Sequence, residues 1–291
     1  MTTSIPPTPS GSLPSPGRLF RDRRAAPRPD PGAALTSEAD LPAADTLRRH
    51  WPEYAIEAGF LALFVLAAGV AMGIALVAMI YSPWGRRSGT HLNPAITLAY
   101  LRLGKIGRWD ACFYLLAQVG GGLVAVALLR SGALLPAAVP PSLLSASLGP
   151  SDEGVAFVTE LVLSGTAMLL VLYTSNHASW FRWTGVLYGL LVAVVVTWVS
   201  PLSGFGMNPA RLFATTLPGG APDANWLYLL PPLLGMQLAV EAYRLFTGRT
   251  QVLCAKLAHN THGRCIFRCQ HPYQTRALAM AAIQRRAARR D

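Results

Sequence analysis

SGTHLNPA at Ser88–Ala95 and SGFGMNPA at Ser203–Ala210 are two copies of one pattern, an Asn-Pro-Ala turn after a glycine-containing loop. Proline suits the first turn of a helix, where its missing N–H would have no partner, and asparagine directly before it is a preferred N-cap. The sequence therefore predicts that a helix begins at each turn. The residues of the two turns are Asn93, Pro94, Ala95, Asn208, Pro209 and Ala210.

Each turn is followed by an apolar segment that is too short to cross a membrane, Ile96–Leu101 in one case and Leu212–Leu217 in the other. A crossing helix needs about 20 residues. Non-helical backbone at membrane depth is tolerated only where it is buried in protein or lines a watery cavity. We therefore predict two re-entrant half-helices, over Ser88–Leu101 and Ser203–Leu217. Their positive N-termini and asparagine amides would face each other near mid-membrane, where a passing solute would meet them.

The composition is that of a membrane protein, with 52% hydrophobic and only 13% charged residues. A soluble domain has about 25% charged residues, so an ordinary soluble globule is excluded. Long apolar runs, each sufficient to cross a bilayer, cover Ala58–Gly85, Ala111–Leu129, Gly154–Arg182, Trp183–Ala210 and Asn225–Phe246.

The two halves of the chain follow one plan. Glu57 lies at the start of the apolar run before the first turn, and Glu160 lies in the run that leads to the second. Another full-length apolar run follows each half-helix. Repeats of this kind are a signature of transport folds, with the site at the repeat interface. The predicted fold class is therefore an all-α integral membrane protein built as an inverted repeat.

These motifs resemble the major intrinsic protein family, the aquaporins and glycerol facilitators. Ser88–Ala99 is similar to the first family signature and Gly204–Phe213 to the second, and Tyr114–Gly121 and Pro232–Gln237 resemble two of its helix segments. The resemblance covers roughly residues 53–246. It implies a passive channel for water and small uncharged solutes of the glycerol kind that excludes ions and protons. It also implies no enzyme activity, no required cofactor, and a homotetramer in the lipid bilayer.

The resemblance implies a role for particular side chains. Asn93 and Asn208 would be donors at the pore centre, and Val196 would make the selectivity filter apolar while Gly73 leaves space in it. Leu212 stands where glycerol facilitators carry an aspartate, so neither a strict water pore nor a glycerol facilitator fits cleanly. The implied filter residues are Arg211, Phe205, Val196 and Gly73, and the implied loop-bracing residues are Glu57 and Glu160.

The first half is too short for the family plan. The glutamate precedes the asparagine of the turn by 36 positions in the first half and by 48 in the second. The front of one helix, Glu53–Ala68, is joined directly to the back of the next, Val70–Tyr81, so the first two spans are fused or truncated. Three interpretations are open: an odd number of crossings, a bent hairpin over Tyr54–Tyr81 that does not fully span, or a damaged variant that folds poorly. The odd number would place two basic segments on opposite sides, against the positive-inside rule.

The net charge of +11 lies mostly outside the apolar runs. We expect residues 1–50 to be a disordered basic cytosolic tail, 51–246 the channel domain, and 247–291 a second basic cytosolic tail. Basic residues concentrate on the cytoplasmic side, so a multi-pass protein of the inner (plasma) membrane with cytoplasmic tails is predicted. Nucleic acid is not expected as a partner, because no aromatic-interleaved basic surface accompanies the charge.

The second tail, residues 247–291, contains several cysteines and histidines close together in the sequence. They are sufficient for a tetrahedral zinc or other metal site, although their spacing fits no standard pattern. The alternative is a tail with reduced, unligated cysteines. The alternative to a channel is therefore a non-conducting membrane scaffold or sensor whose tail binds metal. A membrane enzyme finds little support, because His91 and His177 lack a nearby cysteine or carboxylate in the sequence. The candidate metal ligands are Cys254, His259, His262, Cys265, Cys269 and His271.

Overall fold

The computed structural model of the chain describes residues 41–67, 70–131, 152–177, 179–216, 226–247, 252–259 and 265–270. All regular secondary structure in these residues is helical, as predicted. The elements are α1 (Ala43–Leu66), α2 (Val70–Tyr81), α3 (Pro83–Ser88), α4 (Pro94–Arg102), α5 (Arg108–Arg130), α6 (Glu153–Ser175), a 3₁₀ turn (Phe181–Trp183), α7 (Thr184–Val194), a π turn (Val195–Val199), α8 (Ser200–Ser203), α9 (Pro209–Thr216) and α10 (Trp226–Thr247).

The helices pack as two related halves. Helix α1 packs against α5 in the first half, as α6 packs against α10 in the second, and α2 packs against α7 between the halves. Each half-helix packs against a long helix of the other half, because α4 contacts α10 and α9 contacts α5. This arrangement brings the starts of α4 and α9 to the interface between the repeats.

Three of the described helical segments are long and apolar enough to cross a membrane: Arg108–Arg130, Glu153–Ser175 and Phe181–Val199. Helix α10 has 22 residues and carries Glu241 and Arg244 near its end. Large apolar side chains on these helices are exposed, such as Leu116 at 64% and Leu190 at 59%. An apolar surface of this kind indicates contact with lipid or protein, and it fits the predicted membrane protein.

The run Ala58–Gly85, predicted as a span, is instead two helices, because α1 ends at Leu66 and α2 begins at Val70. Arg87 Nε lies 3.0 Å from Glu53 Oε1, so the two ends of this segment meet. At 1.5 Å per residue, α2 is about 18 Å long and α1 continues about 20 Å beyond Glu53. Both lengths fall short of the roughly 30 Å hydrocarbon core. The segment is therefore a short hairpin, as in the second interpretation of the sequence.

Helix α1 begins at Ala43, so the last residues of the predicted N-terminal tail are helical and packed against the rest of the protein. Thr46 and His50 are buried, at 1% and 0% exposed. His50 Nδ1 lies 2.6 Å from Asp110 Oδ1, and the Tyr54 hydroxyl donates to the same oxygen at 2.6 Å. These contacts fix the start of α1 to the start of α5. Residues 1–40, the rest of the predicted tail, lie outside the described residues.

Several basic loops share one face of the molecule. Arg102 Nη2 lies 2.9 Å from Glu241 Oε1, which joins the end of α4 to the end of α10. Lys105 Nζ donates to Gln270 Oε1 at 3.0 Å, so the C-terminal segment lies on the same face. We call this surface the basic face; its residues are Glu53, Arg87, Arg102, Lys105, Glu241, Arg268 and Gln270.

Candidate functional site

Both Asn-Pro-Ala turns start helices through the same cap. Asn93 Oδ1 accepts from Ala95 N at 2.9 Å, and Asn208 Oδ1 accepts from Ala210 N at 3.1 Å. Asparagine caps a helix in this way by satisfying one of the backbone N–H groups that have no partner within the helix. The predicted half-helices therefore begin at Pro94 and at the equivalent proline, and they end at Arg102 and Thr216.

The two asparagine amides bind the opposite loops. Asn93 Nδ2 donates to the carbonyl of Met207 at 2.8 Å, and Asn208 Nδ2 donates to the carbonyl of Leu92 at 2.7 Å. Each amide therefore contacts the residue just before the other turn. The pair of hydrogen bonds fixes the two half-helices end to end at the repeat interface.

Two buried glutamates hold the non-helical loops. Glu57 accepts the backbone N–H groups of the two residues before Asn93, at 3.0 and 2.8 Å. Glu160 accepts those of the two residues before Asn208, at 2.7 and 2.6 Å. Buried backbone donors are satisfied in this way without regular secondary structure. Both predicted bracing residues are thus in direct contact with the loops.

The loops share a backbone conformation that side chains rarely adopt. Gly89 and Gly204 have φ values of +97° and +80°, and the next residues, Thr90 and Phe205, have +57° and +56°. A non-glycine residue in this left-handed region costs about 1–3 kcal/mol and persists only where its surroundings fix it. The glutamate hydrogen bonds supply that constraint in both loops.

Gln118 is a site residue to which the sequence assigned no role. Its Nε2 donates to Glu57 Oε2 at 3.0 Å and to Thr97 Oγ1 at 3.2 Å, and His91 Nδ1 lies 3.1 Å from the same hydroxyl. The available signal was a polar residue inside the apolar run Ala111–Leu129, since buried polar groups have hydrogen-bond partners.

Two of the predicted filter residues lie together. Arg211 Nη1 donates to the carbonyl of Phe205 at 2.7 Å, and the guanidinium carbon lies 5.6 Å from the centroid of the Phe205 ring. Arg211 is 8% exposed, and a buried cation needs such partners. Val196 lies in the π turn, half-buried against the apolar core. Turns of this kind are frequent at functional sites.

The fourth predicted filter residue, Gly73, lies in close contact with another helix. A Cβ at Gly73 would overlap the carbonyl oxygen of Gly189 and lie 2.8 Å from the Cβ of Ala193. Gly73 therefore lets α2 approach the backbone of α7. This contact gives Gly73 a packing role between the two helices, and its place in the filter stays a prediction.

The C-terminal segment brings four of the six candidate metal ligands together, Cys254, His259, Cys265 and Cys269. Their sulfur and imidazole nitrogen atoms all lie within 4.8 Å of one another. Hydrogen bonds from Cys254 and Cys269 hold the pKa of the Cys265 thiol well below its usual range, which favours the thiolate. The other two candidates, His262 and His271, lie outside the described residues.

Two re-entrant half-helices that meet through their caps inside a helical membrane protein define a channel-type fold. A family model described as major intrinsic protein matches residues 51–243. Aquaporin A of Dictyostelium discoideum is 33% identical over 192 residues, 64% of this chain and 68% of that protein. Glycerol uptake facilitator protein-like 6 of Lactiplantibacillus plantarum is 33% identical over 190 residues, 62% of this chain and 85% of that protein.

A solved structure has the same fold. The aquaglyceroporin from Plasmodium falciparum matches with a TM-score of 0.53 at 22% identity, and the match covers 68% of this chain and 95% of that one. The chain belongs to the major intrinsic protein family, which confirms the resemblance found in its motifs. It is therefore a membrane channel for water or small solutes.

Proposed function

We propose that the chain is a passive channel for water and for small uncharged solutes of the glycerol kind. The observation that carries the proposal is the reciprocal bonding of Asn93 and Asn208 across the repeat interface. An amide nitrogen has two N–H groups. One of them fixes the opposite loop, and the second donates to a solute that passes between the half-helices.

Ions and protons are excluded by positive charge at two places along the path. The N-termini of α4 and α9 carry the positive ends of their helix dipoles, and they face each other at the centre. Arg211 adds a full positive charge, held by the carbonyl and ring of Phe205. Channels of this type select by pore diameter, lining groups and electrostatic barriers.

Passage of solutes larger than water is supported by two apolar residues, at a position that the family resemblance assigns to the filter and at the position after Arg211. Val196 offers no hydrogen bond, and Leu212 follows the arginine with a second apolar side chain. An apolar lining favours solutes that carry carbon as well as hydroxyl or amide groups. Glycerol and urea are therefore the first solutes to test after water.

We further propose that the channel lies in the inner (plasma) membrane as a homotetramer, with the basic face towards the cytosol. The positive-inside rule supports this orientation because the basic face collects the arginines and lysines next to the helices. Membership of the family supports the tetramer. The mass of the purified protein in detergent, measured by light scattering, tests the assembly, and a monomer would contradict it.

The proposal is tested by stopped-flow light scattering of proteoliposomes that shrink under osmotic stress. Chelator and reductant are present throughout, so that the thiols of the C-terminal segment are reduced and free of metal. We expect the full chain to shrink vesicles several-fold faster than empty vesicles. Asn208→Asp, which replaces the amide donor by a negative charge, should shrink them no faster than empty vesicles. Replacing the osmolyte by glycerol or urea should be followed by re-swelling as the solute enters.

A trapped pH-sensitive dye in the same vesicles should report no protein-dependent proton flux. Folded protein that leaves the shrinkage rate at the level of empty vesicles would contradict the channel. The same result would favour the second function predicted from the sequence, a non-conducting scaffold or sensor.

A further inference from the structure

The thiol–imidazole cluster of Cys254, His259, Cys265 and Cys269 has no role in the proposed channel. Its four potential ligand atoms lie within 4.8 Å of one another, and Cys254 is only 4% exposed. The other three side chains are half-buried. Polar side chains converge in this way where a common partner binds them.

The chemistry of the four groups fits a tetrahedral divalent ion. Three thiolates and one imidazole are a standard ligand set for structural zinc. Around a tetrahedral zinc with Zn–S bonds of about 2.3 Å, two sulfur ligands lie about 3.8 Å apart. Cys254 Sγ and Cys265 Sγ are 3.5 Å apart, and His259 Nε2 is 3.0 Å from Cys269 Sγ. A disulfide would use two of the cysteines and would leave the convergence of the other two ligands unexplained.

The segment that carries these ligands has little structure of its own. Its described residues, 252–259 and 265–270, form neither helix nor strand. Gln270 N donates to the carbonyl of Leu253 at 2.7 Å, and Leu253 N donates to Asn176 Oδ1 at 2.6 Å. Short segments without a sufficient core of their own are commonly stabilised by a metal ion, whose binding energy becomes folding energy.

The same segment is docked on the first re-entrant loop. His91 Nε2 lies 2.8 Å from the carbonyl oxygen of Ala255, and Leu257 N donates to the carbonyl of Gly89 at 3.2 Å. The ring of Phe267 stacks on that of His91, with centroids 5.5 Å apart. A Cβ at Gly89 would lie 2.9 Å from the Phe267 ring, so this close approach requires the glycine.

This docking covers the backbone of the first re-entrant loop on the side of the basic face. The loop from Gly89 to Asn93 is non-helical, and its carbonyl groups need either water in an open pore or protein partners. Here the Gly89 carbonyl is bonded to the segment, and Thr90 and His91 are each 1% exposed. The segment therefore lies against loop backbone that an open pore would expose to water.

We propose that the thiol–imidazole cluster binds one Zn²⁺ or similar tetrahedral ion, and that the bound ion pins the C-terminal segment over the first re-entrant loop and closes the pore mouth on the basic face. Loss of the ion releases the segment and opens the mouth. The metal site is independent of the channel activity, whereas the closure rests on the proposed function.

Metal binding is measured first, on the full chain in detergent after it has been stripped with chelator and reduced. We expect one zinc ion per chain, and we expect Co²⁺ to give the d–d absorption of a tetrahedral site together with thiolate charge-transfer absorption. Cys265→Ser and His259→Ala should each lose most of this binding. Cys112→Ser, which changes an exposed cysteine on α5, should retain it. Folded wild-type chain without bound metal, or equal binding by Cys265→Ser, would overturn the site.

Closure is measured in the osmotic assay with and without added Zn²⁺. Zinc should slow the shrinkage of wild-type and Cys112→Ser vesicles to near the rate of empty vesicles, and chelator should restore the fast rate. Cys265→Ser vesicles should shrink fast under both conditions. Bound zinc that leaves the wild-type rate unchanged would overturn the closure. If wild-type vesicles are slow even with chelator, the channel and its closure both fail, while the zinc stoichiometry still decides the metal site.

Discussion

At the scale of single residues, the site depends on two carboxylates that hold unusual backbone. Thr90 and Phe205 both have positive φ values, and they occupy equivalent places three residues before their asparagines. Glu57 and Glu160 each accept two consecutive backbone N–H groups from the loop concerned. A carboxylate suits this position because it only accepts hydrogen bonds and has two oxygens for them.

Glu160→Gln should destabilise the protein although it changes the shape of the side chain very little. Ser203 Oγ and two backbone N–H groups donate to the two oxygens of Glu160. Glutamine keeps one acceptor oxygen and turns an NH₂ group towards a buried donor, which costs about 1–3 kcal/mol. We expect a melting temperature several degrees lower in detergent. Glu153→Gln, at the exposed start of α6, is the control, and an equal shift in both variants would contradict the bracing role.

At the scale of helices, the two halves are joined by α2 and α7 through glycines in close contact. A Cβ at Gly189 would lie 2.7 Å from the carbonyl oxygen of Gly73, and a Cβ at Gly73 would overlap the carbonyl oxygen of Gly189. Small residues let membrane helices approach closely, and such contacts replace the hydrophobic effect as a source of association. This contact fixes the short helix α2, which is only 12 residues long.

Gly73→Ala and Gly59→Ala should change stability in opposite directions. The added methyl group at Gly73 forces α2 away from α7, at a cost of about 1–3 kcal/mol. A Cβ at Gly59, in α1, meets no atom within 4 Å, so alanine there should stabilise the helix by about 0.5–1 kcal/mol. Thermal unfolding of both variants in detergent gives the comparison. A neutral effect of Gly73→Ala would show that the two helices are not in close contact.

At the scale of the whole molecule, the short hairpin decides the topology. The contact between Glu53 and Arg87 returns the chain to the basic face before the first re-entrant loop begins. Helix α1 is further fixed to α5 by the contacts of His50 and Tyr54 with Asp110. The start of α1 and the basic loop that carries Arg87 therefore lie on the same side of the molecule, the arrangement that the positive-inside rule favours.

An N-terminal tag on the full chain should accordingly be cytosolic. We expect it to resist membrane-impermeant labelling in intact cells and to be labelled after the cells are permeabilised. A tag inserted between α5 and α6 is the control, because α5 leads away from the basic face and the insertion should be labelled from outside. Labelling of the N-terminal tag in intact cells would mean that the first segment crosses the membrane once.

The sequence by itself determined the membrane class, the repeat and the two helix starts. Apolar runs and Asn-Pro-Ala turns are local signals, and they suffice for the helix starts because capping acts within a few residues. The paired glutamates were predicted from the repeat and the family resemblance, since they lie 34 to 47 positions from the loops that they hold. The structure places Asn93, Asn208, Glu57 and Glu160 in matching positions in the two halves. The choice of a hairpin over an odd number of crossings needed the contact between distant residues.

Only the tertiary structure decided which side chains that are distant in the sequence lie in contact. Counting along the chain predicted Gly73 as a filter residue, and only the folded chain shows that it packs against Gly189 of α7. Spacing alone left the cysteines of the tail without a pattern, whereas the folded chain brings four ligands within 4.8 Å and seats their segment on the loop at Gly89 and His91. Contacts between residues 60 to 165 positions apart depend on how the helices pack. Sequence periodicity predicts which face of a helix is apolar, but it does not predict which other segment packs against that face.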